Sequence, residues 1–116
     1  MKKDQAHGRK RLCQALLEEL NSALRGEFSS LKTQFVSVTG VELNKDNSVA
    51  RVFWDSFKSD EVESLQTSLD ELAPKMRTML ARKLQLRHTP ELRFFYNSQF
   101  EDSMRIDQLL KQKDWF

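Results

Sequence analysis

Few side chains in this sequence combine the reactivity and the spacing that catalysis needs. The single thiol, Cys13, falls within the apolar stripe of a helical pattern, where an inert cysteine is expected rather than a nucleophile. His7 and His88 fit no metal-ligand spacing with Cys13, and His88 beside Arg87 at a helix end suits capping or phosphate contact as well as catalysis. Asp60, Glu61 and Glu63 gather where a helix begins, so first-turn charges explain them better than a general acid and base pair. Gly8, Gly26 and Gly40 are too dispersed for a phosphate-cradling loop or a dinucleotide fingerprint. No active site, metal or cofactor is expected, and a small RNA hydrolase lacks both its base and its nucleophile.

Cations are the residues left to carry a function. The net charge of +2 is unremarkable, but its distribution is polarised. Residues 1 to 11 hold Lys2, Lys3, Arg9, Lys10 and Arg11 against Asp4 alone, and residues 73 to 88 hold Lys75, Arg77, Arg82, Lys83 and Arg87 against no acid. Between 45 and 72 the balance reverses, with seven acids facing Lys45, Arg51 and Lys58. A charge run is ordinarily a solvated face, so the two acid-poor segments count together rather than residue by residue. Arg9, Lys10, Arg11, Lys75, Arg77, Arg82, Lys83 and Arg87 are the candidate phosphate contacts.

The elements that must position them follow from periodicity. Leu12, Cys13, Leu16, Leu17, Leu20 and Leu24 recur at helical spacing, and Gly26 is placed to end that helix. Residues 35 to 43 are rich in β-branched side chains and change phase at Gly40, which predicts a strand bulged at the glycine. Asn44-Lys45-Asp46-Asn47 then turns into a second strand over residues 49 to 54, giving an antiparallel hairpin. Ser59 or Asp60 is placed to cap a helix whose core face is Val62, Leu65, Leu69 and Leu72. Pro74 predicts a break, with two helices meeting at Ala73-Pro74, and Met76, Met79, Leu80, Leu84 and Leu86 form the apolar side of the second. Lys83 falls in that apolar arc, with its stem packed and its ammonium reaching solvent. Thr89-Pro90 ends this helix, and Leu92 to Tyr96 forms a third strand.

The chain of 116 residues has room for one domain, expected over residues 1–97, followed by a tail, 98–116, with a short helix carrying Met104, Ile106, Leu109 and Leu110. The longest apolar runs are three residues, far short of the roughly 20 that cross a bilayer. With no apolar leader after Met1 and one cysteine, a soluble protein of the reducing cytoplasm is expected. The fold class is α+β, in the order α-β-β-α-α-β, with helices packed on one face of a three-stranded sheet. That order is the KH-like type II arrangement, although the G-x-x-G loop of a standard KH domain is absent and Leu72-Ala73-Pro74-Lys75 stands at its place.

Two blocks resemble the bacterial ribosome-binding factor A family. One is Val38-Thr39-Gly40-Val41-Glu42-Leu43-Asn44-Lys45-Asp46 through Ala50-Arg51-Val52. The other runs from Leu86-Arg87-His88-Thr89-Pro90-Glu91-Leu92-Arg93-Phe94-Phe95-Tyr96 to Ser103-Met104-Arg105-Ile106. The resemblance implies a KH-like factor that binds the small ribosomal subunit, assists late maturation of 16S rRNA and its 5′ end, and matters most for growth in the cold. It also implies a monomer whose partner is 16S rRNA, with no membrane. The family carries a helix kink of the form Ala-x-Gly where this chain has Ala73 and Pro74, and an aspartate is common where Asn97 stands. The alternative function is a protein-interaction module that docks through the tail and Trp115-Phe116.

Overall fold

A computed structural model describes residues 2–57 and 59–97, with side chains over 8–57 and 60–97. The first helix, α1 (Lys2–Arg25), begins well before the apolar stripe and buries Leu16, Leu20, Ala23 and Leu24. It stops before Gly26, and the Phe28 N–H closes back on the Ala23 carbonyl at 2.8 Å. A 3-10 turn, Thr33–Phe35, leads into β1 (Val36–Leu43), and β2 (Val49–Ser56) returns antiparallel to it. β3 (Glu91–Tyr96) pairs with β2 in parallel, so β2 is central in the order β1-β2-β3.

The expected bulge is present. Val38 pairs with Trp54 and Gly40 with Phe53, so Thr39 is the extra residue, and its hydroxyl donates to the Phe53 carbonyl at 3.3 Å. A Cβ at Gly40 would lie 3.8 Å from the Phe53 ring, an ordinary contact. The bulge therefore does not depend on glycine for space.

Between Ser56 and β3 the sequence reading needs correction. Instead of two helices meeting at Ala73-Pro74, one helix, α2 (Val62–Leu84), runs through Pro74. Proline removes only its own N–H, the one that would bond the Asp70 carbonyl. Leu65 and Leu69 before it and Met76, Met79 and Leu80 after it are all buried, so packing holds both halves. The start also differs: a 3-10 turn, Ser59–Glu61, precedes α2, and its N-cap Glu61 makes no side-chain cap bond. The end comes at Leu84, before Thr89-Pro90, because Gln85 adopts the left-handed conformation (φ 50°) and Leu86 falls outside the helix.

Both helices cover one face of the sheet. The core joins Leu16, Leu20 and Leu24 of α1 and the apolar row of α2 to Val36, Val38, Ala50, Val52, Trp54, Leu92 and Phe94. Met76 and Met79 are core filler, as their helical spacing predicted. The proposed tail helix and Trp115-Phe116 lie outside the described residues.

Candidate nucleic-acid interface

The hairpin turn is built from side-chain amides. The Asn44 Oδ1 accepts from the Val49 N–H at 3.0 Å, while its Nδ2 donates to the Ser48 hydroxyl at 2.9 Å. Asp46 Oδ1 accepts from both the Ser48 hydroxyl (2.7 Å) and the Ser48 N–H (3.1 Å). These bonds to Ser48 hold the Asp46 carboxyl below the usual carboxylate range. Arg9 reaches the turn from α1, with its Nη2 donating to the Lys45 carbonyl at 2.8 Å.

From this turn the contacts continue to the start of β3. The Glu91 N–H bonds the Ser48 carbonyl at 2.9 Å. Arg77 forks onto the Thr89 carbonyl through Nε (3.1 Å) and Nη2 (2.9 Å). Arg9 and Arg77 thus stand at the sheet end marked by the hairpin tip and the approach to β3, and Arg87 is an exposed residue of the segment between α2 and β3. Lys10, Arg11, Lys75 and Arg87 are exposed and form no ion pair among the described residues.

Arg82 and Lys83 are placed differently. Arg82 Nη2 lies 3.5 Å from Glu27, in the turn after α1, and Lys83 Nζ lies 4.0 Å from Glu19 of α1. A segment acid-free in sequence is therefore partly neutralised in space. Lys83, expected within the apolar arc, has an exposed side chain with its ammonium at the surface.

A groove of about 660 Å³ separates α2 from β3, and Ala73, Pro74, Arg77 and Thr78 form its helical wall. Asp70 and Glu91 share it with Arg77 and Arg93, so its charge is mixed. Gln66 fixes its depth: its Oε1 accepts from the Trp54 indole N–H (2.9 Å), and its Nε2 donates to the Phe94 carbonyl (2.8 Å) and to Asp70 (3.0 Å). Sequence reasoning missed Gln66; the available signal was a buried tryptophan needing an acceptor. It also passed over Lys45, an exposed cation hidden in an acidic stretch.

Two other titratable groups are shaped by burial. Desolvation pushes the Cys13 thiol up, against the nearby Arg9 charge. Burial lowers Arg51, opposed by Glu42 at 3.6 Å. Among the described residues no cluster of three or more His, Cys, Asp or Glu side chains is arranged to hold a metal ion. No helix there is long and apolar enough to cross a membrane.

Two helices on one face of a mixed three-stranded sheet, with cations at the hairpin end, define a KH-like α+β domain. Its sequence relatives make the assignment specific. The profile of the family described as Ribosome-binding factor A matches residues 8–110, and this chain belongs to that family. It is 35% identical over 105 residues to the Ribosome-binding factor A of Shewanella baltica, a match covering 89% of this chain and 67% of that one. The crystal structure of ribosome-binding factor A from Thermus thermophilus superposes with a TM-score of 0.68 at 24% identity, covering 76% of this chain and 94% of the other. A Thermus thermophilus homology model of the factor, fitted into a cryo-EM map of its complex with the 30S subunit, gives 0.58 at 29% identity, over 78% and 92%.

Proposed function

We propose that this chain is a non-enzymatic, monomeric, cytoplasmic RNA-binding factor that associates with the 30S subunit. In this reading it assists late maturation of 16S rRNA, including its 5′ end, and matters most for growth in the cold. Membership of the ribosome-binding factor A family over residues 8–110 is the observation that carries the reading. Exposed Lys10, Arg11, Lys75 and Arg87 give it a physical basis, because surface cations release counterions when they meet phosphates. Arg9 and Arg77 contribute as cations already held in place by backbone carbonyls. Arg82 and Lys83 contribute less, with Glu27 and Glu19 beside them. Ala73 and Pro74 form the groove wall where a standard KH domain presents its glycine loop, so side-chain cations replace exposed backbone there.

Co-sedimentation with 30S subunits over a range of salt tests the reading. The Lys75→Glu, Arg87→Glu double variant should lose binding while keeping the wild-type urea midpoint. Unchanged co-sedimentation would overturn it. Accumulation of 16S precursor with an immature 5′ end in cold-grown cells lacking the protein tests the maturation role, and normal rRNA ends in such cells would reject that role.

A further inference from the structure

We propose that the tip of the β1–β2 hairpin, clamped to the start of α1, is a second backbone-phosphate contact for RNA, with Lys45 as its central cation. The inference rests on the reading of the chain as an RNA-binding factor and adds a site on a different element. The Arg9–Lys45 hydrogen bond, 2.8 Å long, joins helix and turn into one unit. Two open hollows flank it. One, of about 600 Å³, lies between Arg9, Arg51 and residues 43–46 and 48; the other, of about 390 Å³, is lined by Gly8, Arg9, Lys45, Asp46 and Asn47.

The chemistry of these hollows matches a nucleic-acid backbone. Lys45 and Arg9 are exposed, Lys45 has no ion pair among the described residues, and Arg9 spends one guanidinium donor on the clamp. Lys10 and Arg11 follow directly on the same helix. Asn47 sits at φ 60° within the turn, and the two exposed cations that share a hollow with it suit a backbone phosphate. Asp46 is the acid of the tip, and its bonds to Ser48 keep it ionised. It therefore opposes a bound phosphate, which gives the site a signature of opposite signs. Ser48 also touches the start of β3, so the tip adjoins the end of the sheet where Arg77 stands.

Binding of the full-length protein to 30S subunits, measured against salt for K45E and D46N, tests this. K45E should weaken binding several-fold and flatten the plot of log K against log salt by about one. D46N, whose amide oxygen still accepts from Ser48, should tighten binding. No change in either variant, or weakening in both, overturns the proposal. Photo-crosslinking from position 45 should label rRNA; labelling of a ribosomal protein instead also overturns it. If Lys75→Glu, Arg87→Glu abolishes binding while K45E and D46N do nothing, the hairpin site fails and the RNA-binding reading survives. If no variant has an effect, both fail.

Discussion

The side-chain amide of Asn21 grips the backbone of Val38 at both ends: Nδ2 donates to the Val38 carbonyl at 3.0 Å, and the Val38 N–H donates to Oδ1 at 2.8 Å. β1 is an edge strand, and Val38 lies just before its bulge, so a residue of α1 stands where another strand would pair.

Replacing Asn21 with Leu should therefore act twice. Two partly buried backbone groups lose their partners, at a cost of about 1–3 kcal/mol. The freed edge also becomes a template for association. A lowered urea midpoint together with a concentration-dependent dimer in sedimentation is the expected result; wild-type stability would show that water replaces the amide without loss.

Gln66 serves three groups at once, so its variants separate their contributions. Gln66→Glu keeps the acceptor for Trp54 but loses both donors and sets a carboxylate beside Asp70. It should destabilise more than Gln66→Met, which leaves the indole N–H unpaired at about 1–3 kcal/mol. The order of the two urea midpoints checks this, and Trp54 fluorescence should shift more for Met than for Glu.

Pro74 sets stability against shape. Alanine there supplies the missing N–H, and proline in a helix interior is about 3 kcal/mol less favourable than alanine. Pro74→Ala should raise the urea midpoint, while 30S binding falls if the groove wall needs proline's geometry. A drop in stability would mean that the surrounding core is built to a helix that only proline allows.

The pH response of the hairpin has a definite sign. The Asp46 carboxyl titrates lower when folded than when unfolded, because of the Ser48 hydroxyl and then the Ser48 N–H. Its contribution is thus complete above its unfolded pKa of about 3.9 and is lost as pH falls through the folded value. Ser48→Ala should move the Asp46 carboxyl resonance to titrate at higher pH. An unmoved titration would remove the Ser48 hydroxyl as the cause and leave the Ser48 N–H.

Periodicity carried much of this fold. The Leu16-Leu20-Leu24 stripe, the phase change near Gly40 and the turn at residues 44–47 appear where local pattern placed them, because each depends on neighbours in sequence. Pro74 misled because local propensity argues for a break, whereas burial of Leu69 and Met76 on either side outweighs one lost bond. Long-range partners left no local trace. Glu19 and Glu27 approach Lys83 and Arg82 only after the helices pack, and Asn21 and Gln66 read as ordinary polar helix residues. Lys45 was masked by averaging charge along the chain rather than over a surface.

The central position of β2 also dictates an order of assembly. Its pairing with β1 closes across a five-residue turn, whereas its parallel pairing with β3 must wait for the whole of α2 to be threaded between them. Short loops close in nanoseconds to microseconds, while non-local pairing is the slow part of folding. On an emerging nascent chain the hairpin and its Arg9 clamp can form while residues beyond Ser56 are still being synthesised. Pulse-labelled hydrogen exchange during refolding should protect the Glu42 and Arg51 amides, which face each other across the hairpin, before that of Asn97, which bonds the Trp54 carbonyl, and simultaneous protection would contradict this sequence of events.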